Sequence, residues 1–194
     1  DFAAGVRTLM RQDPDIIMVG EIRDLETAQM AVQASLTGHL VLSTLHTNDA
    51  PSALTRLLDL GVPHYLIQST LAGIVAQRLV RTLCVHCKAE APLDERGWAA
   101  LTHGWQLPVP EKNFGPKGCL ECRKTGFQGR TGIYEMMRIT GPLRALILPD
   151  MDLAKVRKTA LSEGMRSLRV SAAAQVARGV TTLREVMNVL PPVD

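Results

Sequence analysis

The sequence has few aromatic residues, little net charge and no long hydrophobic run. Phe, Trp and Tyr make up 4% of the 194 residues, and 22 Lys and Arg against 19 Asp and Glu leave a net charge of +3. So weak a positive charge, without aromatic side chains on which bases could stack, argues against nucleic acid as the ligand. No apolar run of about 18 residues predicts a membrane-spanning helix, and no basic segment followed by a short apolar stretch indicates a secretory signal.

The remaining composition is that of an ordinary soluble globular chain. Hydrophobic residues are 46% and charged residues 21% of the sequence, which argues against a disordered chain or a coiled coil. The length fits one domain, or one domain with a small appendage. The sequence opens with Asp1, at the start of a segment to Gln12 with helical apolar spacing, and we expect it to be a fragment of a longer protein.

Strands and helices are predicted to alternate over residues 1–83. Ile16–Val19 is a continuous apolar run, which is typical of a strand buried on both faces of a parallel sheet. Asp24 is a suitable N-cap for a helix that Gly38 ends, and residues 39–45 form a second strand-like run. Further predicted elements are a helix opened by Asn48 or Asp49 with Pro51, a helix from Pro63 and a strand over Gln77–Leu83. The alternation predicts an α/β fold built from βαβ units.

The character of the sequence changes after Cys84. Residues 88–118 collect prolines and glycines without a sustained period, whereas a helical rhythm returns from about Gly141. Asp152, Ser167 and Thr182 are predicted helix N-caps, and Thr182 forms a capping box with Glu185. We therefore predict an α/β part over residues 1–83, a metal-binding subdomain over 84–135 and a helical subdomain over 136–194.

Four cysteines form two Cys-x-x-Cys pairs, Cys84 with Cys87 and Cys119 with Cys122. Each such pair can place two thiolates on one edge of a tetrahedral metal site. The loop between the pairs, residues 88–118, is longer than the ~15–20 residues of zinc ribbons, so it contains an insertion. We predict one structural Zn²⁺ held by all four thiolates, with no open coordination position. Free buried thiols or disulfides are the alternatives.

Glu21 follows the first predicted strand, after Gly20. In α/β proteins ligands bind outside the carboxyl ends of parallel strands, and an acidic residue there can act through Mg²⁺ or orient the water that attacks a γ-phosphate. A Walker B strand more usually ends with Asp, whereas here Gly20 holds that place. A surface loop that simply begins at Glu21 is the alternative.

Two histidines bracket the second predicted strand, His39 before it and His46 after it. If this strand neighbours the strand before Glu21, its end brings Ser43, Thr44 and His46 to the same edge of the sheet. An imidazole there can sense a γ-phosphate or relay a proton. The alternative is a local hydrogen-bonding histidine, which is the usual role at a strand end.

Two long segments together resemble the traffic ATPases of type II secretion and type IV pilus systems. Residues 11–24, RQDPDIIMVGEIRD, are similar to the Walker B box of that family, and residues 37–49, TGHLVLSTLHTND, to its histidine box. Residues 75–84, VAQRLVRTLC, and the cysteine pairs extend the resemblance over essentially the whole chain. Several long motifs in the family's order make the resemblance specific.

The resemblance implies the second half of a RecA-like P-loop NTPase core, with a tetracysteine zinc insert and a helical C-terminal subdomain. It implies that Glu21 is the catalytic carboxylate, that His46 and His39 of the histidine box are catalytic residues, and that ATP is bound with Mg²⁺ in a homo-hexameric ring. The ring would work in the cytoplasm, at the inner membrane, through platform proteins of the secretion machinery. Assembly ATPases of the family carry the tetracysteine subdomain, whereas retraction ATPases generally lack it.

Four arginines match positions where the family keeps arginine: Arg7, Arg11, Arg23 and Arg56. In ring ATPases an arginine of one subunit can reach the phosphates bound by its neighbour and stabilise the transition state. The resemblance therefore implies nucleotide or inter-subunit roles for these four side chains. Solvated surface arginines are the alternative.

One family element is missing from the sequence. The family carries a phosphate-binding loop of the type Gly-x₄-Gly-Lys-Ser/Thr, and an acidic box, upstream of these motifs, and neither occurs in this chain. The nearest approach, residues 118–125, has Arg123 where the second glycine must stand and contains two of the cysteines. We expect ATP hydrolysis to need a longer parent chain and the fragment alone to be inactive.

Two classes of function remain open. The first is ATP hydrolysis in a motor that assembles the pseudopilus of type II secretion or, alternatively, a type IV pilus, and the texture of residues 29–83 favours type II secretion. The second is a zinc-ribbon module that binds nucleic acid, for which Lys88, Arg123, Lys124 and Arg130 lie near the cysteines.

Overall fold

The computed structural model describes Gly5, Thr8 and residues 12–190. Gly5 and Thr8 are helical, in agreement with the helix predicted over Phe2–Gln12. Arg7 and Arg11 lie outside the described residues. Among the described residues, no helix combines the length and the hydropathy needed to cross a membrane.

Helices and strands alternate along the described chain. In order, the elements are β1 (Ile16–Val19), α1 (Leu25–Leu36), β2 (Leu40–Ser43), α2 (Ala50–Asp59), α3 (His64–Thr70), β3 (Gly73–Leu83), β4 (Ala89–Glu90), α4 (Glu95–Leu101), β5 (Phe114–Gly115), β6 (Phe127–Arg138), α5 (Gly141–Leu146), α6 (Leu153–Ser162), α7 (Leu168–Ala177) and α8 (Leu183–Val189).

The chain forms two compact units, each made of two segments. Unit 1 combines the described residues up to Ile74 with Met137–Met165, and unit 2 combines Val75–Met136 with the described residues from Arg166 onward. The divisions fall within β3 and β6, which pair as a two-stranded sheet. The three consecutive parts expected from the sequence, 1–83, 84–135 and 136–194, stay a prediction.

Unit 1 is built around the βαβ unit that the sequence predicts. β1 and β2 are parallel, with Ile16 opposite Leu40 and Val19 opposite Ser43. Helix α1 crosses between them, and the Asp24 side chain caps it by accepting from the Thr27 N–H. Elsewhere in unit 1, α3 packs on α1, and α6 packs on both α2 and α5.

The expectation that β1 is buried on both faces is wrong for the described chain. Ile17 and Val19 are buried against Met30 and Ala34 of α1, whereas Ile16 and Met18 are 58% and 73% exposed. Successive side chains of a strand point to opposite faces, and only the face toward α1 is covered here. An uninterrupted apolar run in the sequence therefore does not tell whether the second face is covered.

Unit 2 contains the cysteines, the β4–β5 pair and three helices. β4 and β5 are antiparallel, with Ala89 opposite Gly115. Helix α4 packs on α7 and α8, and α7 packs on α8. Helix α4 was not predicted: it has seven residues, and Trp98 and Leu101 are its buried side chains, too few to set up a visible period.

The predicted caps of the C-terminal helices are confirmed. Asp152 accepts from the backbone N–H groups of Ala154 and Lys155 at the start of α6. Ser167 and Thr182 cap α7 and α8 in the same way. These caps hold because the side-chain oxygen satisfies N–H groups that have no partner within the helix.

Candidate functional site

The loops that follow β1 and β2 lie side by side at the carboxyl edge of the parallel pair. The Ile22 N–H donates to the Thr44 carbonyl at 3.0 Å, and the Thr44 hydroxyl donates to the Gly20 carbonyl at 2.6 Å. These two hydrogen bonds continue the pairing beyond the ends of the strands. They bring Glu21 and His46 to the same edge of the sheet.

Glu21 uses both carboxylate oxygens. Oε1 forms an ion pair with Arg23, and Oε2 lies 3.1 Å from His46 Nε2. A carboxylate only accepts hydrogen bonds, so Nε2 carries the proton and donates it to Glu21. The hydrogen bond from Arg23, helped by that from His46, lowers the pKa of Glu21 below its ordinary value of 4.5. Glu21 is therefore an anion at neutral pH, able to accept a hydrogen bond from water.

The pair is open to solvent. The His46 side chain is 89% exposed and that of Glu21 is 30% exposed. A ligand can thus reach both side chains without a change in the surrounding fold. Glu21 can accept a hydrogen bond from a water molecule here, with the His46 imidazole beside it.

The structure does not bring His39 to this pair. His39 directly precedes β2. The N–H of the next residue, Leu40, donates to the Asp15 carbonyl at the amino end of β1, so His39 lies at the opposite edge of the two-stranded sheet from Glu21. The Nδ1 atom of His39 lies 3.0 Å from the Thr37 hydroxyl and 2.9 Å from the Ala34 carbonyl. These contacts satisfy groups at the end of α1, so His39 has a local structural role in this arrangement. A catalytic role for His39 stays a prediction without a contact that supports it.

The four cysteine sulfurs form one cluster in unit 2. The Sγ atoms lie within 4.8 Å of one another, with 3.9 Å from Cys84 to Cys119, 3.8 Å from Cys87 to Cys122 and 3.7 Å from Cys119 to Cys122. A regular tetrahedron with Zn–S bonds of about 2.3 Å has S–S edges of about 3.8 Å. All four cysteines are free thiols rather than disulfides. The cluster therefore has the size and ligand set to hold a metal ion.

The backbone around the second cysteine pair is shaped for that cluster. The N–H groups of Cys119 and Gly126 point at Cys122 Sγ, at 3.2 and 3.1 Å. These hydrogen bonds, that from Cys119 first, lower the pKa of Cys122 to about 6, whereas desolvation raises the pKa of Cys87 to about 11. Gly126 has φ +77°, and a Cβ there would collide with Pro116. Glycine is required because a side chain would push the turn off the sulfur.

Comparison with known proteins identifies the family. Residues 1–188 match the family described as Type II/IV secretion system protein. The chain belongs to this family. Two curated relatives are type IV pilus assembly ATPase TfpB of Acinetobacter baylyi, 55% identical over 190 residues, and type II secretion system protein HxcR of Pseudomonas aeruginosa, 50% identical over 188 residues.

The match covers only part of these relatives. It includes 98% of the chain and 32% of TfpB, and 97% of the chain and 36% of HxcR, so the chain spans about a third of their length. Among solved structures, the pilus retraction motor PilT with bound ADP is similar with a TM-score of 0.65 and 26% identity, over 99% of this chain and 44% of that chain. The α/β fold of the secretion ATPases is thereby shown.

Arg23 and Arg56 have different surroundings in this chain. Arg23 pairs with Glu21, which raises the pKa of Arg23 above its ordinary value. Arg56 lies exposed in the last turn of α2. The structure thus brings Arg23, but not Arg56, into contact with the Glu21–His46 pair.

Sequence reasoning missed one charged pair beside the histidine box. Arg157 on α6 donates from Nη2 to Asp49 Oδ2 at 2.7 Å. The two residues are 108 positions apart, and neither carries a motif signal for the other. No spacing rule could have paired them.

Proposed function

We propose that this chain is the part of a homo-hexameric cytoplasmic ATPase that carries the catalytic carboxylate, in a motor that powers pseudopilus assembly for type II secretion. The observation that carries the proposal is the Glu21–His46 pair at the carboxyl edge of the parallel strands, with Oε2 and Nε2 3.1 Å apart. Ligands of α/β proteins bind at this edge. The names of the relatives, which include pilus assembly ATPases, support the same reaction.

In the proposed reaction, Glu21 orients the water that attacks the γ-phosphate. The lowered pKa of Glu21 keeps the carboxylate ionised. Glu21 therefore accepts a hydrogen bond from the water and aligns the lone pair of the water oxygen with the phosphorus. His46 donates Nε2–H to the same carboxylate and fixes the direction of the second oxygen. Phosphoryl transfer depends chiefly on such positioning and on charge stabilisation.

ATP and Mg²⁺ would be held mainly by residues outside this chain, since the chain has no phosphate-binding loop of the expected type. Bound Mg²⁺ neutralises charge on the phosphates. Glu21 offers an ionised oxygen ligand of the kind that Mg²⁺ prefers. We further propose that Arg7, Arg11, Arg23 and Arg56 act at the nucleotide or at a subunit boundary, of which Arg23 has direct support from its contact with Glu21.

We propose that Cys84, Cys87, Cys119 and Cys122 hold one structural Zn²⁺. Three of the six S–S distances are 3.7–3.9 Å and all six are within 4.8 Å, which supports a tetrahedral all-thiolate site, and four protein ligands leave no position for water. Zinc there would cross-link two loops of unit 2 and would take no part in hydrolysis.

Assembly of a type IV pilus is the second candidate. Its support is the 55% identity with a type IV pilus assembly ATPase, against 50% with a type II secretion protein. Complementation separates the two: the full-length parent gene is expressed in strains that lack either one ATPase or the other. Restored secretion without restored pili supports the first function, and the reverse outcome supports the second.

A zinc-ribbon module that binds nucleic acid has less support. Lys88, one of the basic residues that this function requires, donates from Nζ to the Gly179 carbonyl at 2.9 Å and lies 5.0 Å from the Phe114 ring centroid. The Lys88 ammonium group is thus bound to other residues of unit 2. Binding to a labelled oligonucleotide, with affinity that falls steeply with salt, would favour this module over the ATPase.

The direct test of the proposed activity uses the full-length parent. Phosphate release from ATP is measured with and without Mg²⁺, on protein whose oligomeric state is determined by light scattering. The proposal expects Mg²⁺-dependent hydrolysis by a hexamer. Binding to the cytoplasmic parts of inner-membrane platform proteins, tested by co-purification, examines the proposed peripheral location.

A further inference from the structure

The turn that contains His46 ends at Asp49, and the two carboxylate oxygens of Asp49 make different contacts. Asp49 is the N-cap of α2, and its Oδ1 accepts from the Ser52 backbone N–H at 2.9 Å. Its other oxygen, Oδ2, accepts from Arg157 at 2.7 Å. Arg157 belongs to α6, which packs on α2 within unit 1. One oxygen caps the helix, and the other binds the neighbouring helix.

The helix cap alone does not require a charge. Ser, Thr or Asn can supply one side-chain oxygen about as well as Asp. The negative charge and the second oxygen of Asp49 serve Arg157. The Asp49 side chain is 14% exposed and that of Arg157 is 37% exposed, so the pair is less screened than an ion pair on the open surface.

The pair is charged at neutral pH. Burial of Asp49 opposes ionisation, but the hydrogen bonds from Ser52 and Arg157 outweigh it and hold the pKa below the ordinary value of 3.8. The contact at 2.7 Å is therefore a charge-assisted hydrogen bond, which is stronger than one between neutral groups.

The position of His46 depends on its turn rather than on packing, since its side chain is 89% exposed. Thr44 fixes one end of the turn by its hydrogen bond to the Gly20 carbonyl. The Thr47 hydroxyl donates to the Asp49 carbonyl at 3.1 Å. The other end is fixed at Asp49, by the helix cap and by Arg157.

We infer that Arg157 is a positioning residue for the Glu21–His46 pair: it holds Asp49, and through Asp49 it sets the turn over residues 44–49 that presents the imidazole. The inference rests on the proposed function, because it assigns Arg157 an effect on ATP hydrolysis. Arg157 contacts Asp49 rather than Glu21, and the proposal gives it no contact with the nucleotide. Its effect is transmitted by the backbone.

The test uses the full-length hexamer with Arg157→Gln, Asp49→Asn and both changes together. Asn keeps the helix cap and loses the charge, so each variant removes the same pair. We expect kcat for ATP to fall about tenfold in each variant, with KM within about twofold, because a misplaced imidazole affects the reaction rather than substrate binding. The double variant should be no slower than the slower single variant. Arg157→Lys should recover part of the rate, since it restores the charge.

The matched control is Lys155→Gln, on the same helix α6. The Nζ atom of Lys155 lies 4.0 Å from Oδ2 of Asp152, the N-cap residue of α6. A second readout is the NMR signal of the His46 ring in protein labelled at histidine and assigned with His46→Gln. The signal should shift in Arg157→Gln and Asp49→Asn and stay in place in Lys155→Gln. A merely structural loss of stability would lower the melting temperature without moving this signal in the folded protein.

Two results would overturn the inference. The first is a kcat for Arg157→Gln equal to that of Lys155→Gln, and the second is a His46 signal that stays in place in both pair variants. The failure of the proposed function is distinguishable, because in that case Glu21→Gln hydrolyses ATP at the normal rate. An inactive Glu21→Gln together with a fully active Arg157→Gln would reject the positioning role alone.

Discussion

Arg81 of β3 places two guanidinium nitrogens on the carboxylate of Glu185 in α8, with Nη2 2.6 Å from Oε2 and Nε 3.0 Å from Oε1. The Arg81 guanidinium also lies 4.3 Å from the centroid of the Phe127 ring. Next to this pair, the Thr181 hydroxyl donates to the Arg81 carbonyl, and the Leu83 N–H donates to the Val180 carbonyl. The turn before α8 is thus joined to the strand that leads into the first cysteine pair.

This pair predicts that α8 depends on the planar guanidinium of Arg81. Arg81→Lys keeps the charge but loses the two-pronged contact, and Glu185→Gln keeps the shape but loses the charge. We expect either change to lower the free energy of unfolding of unit 2 by about 1–3 kcal/mol. Hydrogen exchange of α8 amides, followed by mass spectrometry, measures the change.

Lys112→Gln is the control for that measurement. Lys112 pairs with Glu90 at 2.8 Å, but both side chains are about two-thirds exposed. Ion pairs on the open surface are screened by water and salt and contribute little to stability. An Arg81→Lys variant that exchanges no faster than Lys112→Gln would show that the Arg81–Glu185 contact does not hold α8.

Removal of the metal should loosen unit 2 and leave unit 1 folded. Cys119→Ser deletes one thiolate of the cluster, and structural zinc sites in small peptides have apparent binding energies on the order of 10–16 kcal/mol at neutral pH. We expect about one equivalent of zinc in the wild type, markedly less in Cys119→Ser, and faster amide exchange around Cys84 and Gly126. Leu120→Ala, at an 83% exposed neighbour of Cys119, should keep the metal. A wild-type chain with reduced thiols and almost no zinc contradicts the site.

The Asp49–Arg157 pair predicts an acid-sensitive contribution to stability. The pKa of Asp49 is held below 3.8 in the fold, so folding is favoured while the carboxyl is ionised. The contribution is complete well above pH 3.8 and is lost as the pH falls through the lower, folded-state pKa. Chemical unfolding of wild type and Asp49→Asn should show a difference that is constant above about pH 5 and shrinks below about pH 4. A difference that grows on acidification would give the opposite sign and reject the pair as the cause.

The four proposed arginines can be separated by rate. Removal of an arginine that stabilises the transition state of phosphoryl transfer can cost roughly 10³–10⁵ in rate, whereas removal of a solvated one costs little. Each of Arg7, Arg11, Arg23 and Arg56 is changed to Ala in the full-length protein, and hexamer formation is checked before ATP hydrolysis is measured. Near-normal rates in all four variants would make them surface residues.

The sequence predicted those features whose cause is local. Asp24, Asp152 and Thr182 were recognised as caps because a cap depends on one side chain and the next three backbone amides. The meeting of Glu21 and His46 was predicted because parallel strands place the residues after them at one edge. Each of these predictions needed only a short stretch of sequence and one rule of geometry.

What the sequence did not predict depends on distant parts of the chain. The Glu185 side chain was expected to complete a capping box with Thr182, but it binds Arg81, 104 positions away. Nothing in the sequence pairs Arg157 with Asp49, because the two residues lie 108 positions apart and Arg157 belongs to no motif. The exposed face of β1 was expected to be buried, since an apolar run reads the same whether or not a second layer covers it. In the first two cases a distant partner decided the outcome, and for β1 the packing against each face did, rather than the local pattern.

The central claim is that Glu21 is the catalytic carboxylate of an ATPase, and single-turnover hydrolysis by the full-length protein with Glu21→Gln tests it most directly. Gln keeps the size of the side chain and removes the charge that orients the water, so the variant should fold and bind ATP as before and cleave it at least about a hundredfold more slowly. Glu26→Gln, an exposed acidic residue in the first turn of α1, should cleave ATP at the wild-type rate. Wild-type cleavage by Glu21→Gln would contradict the account.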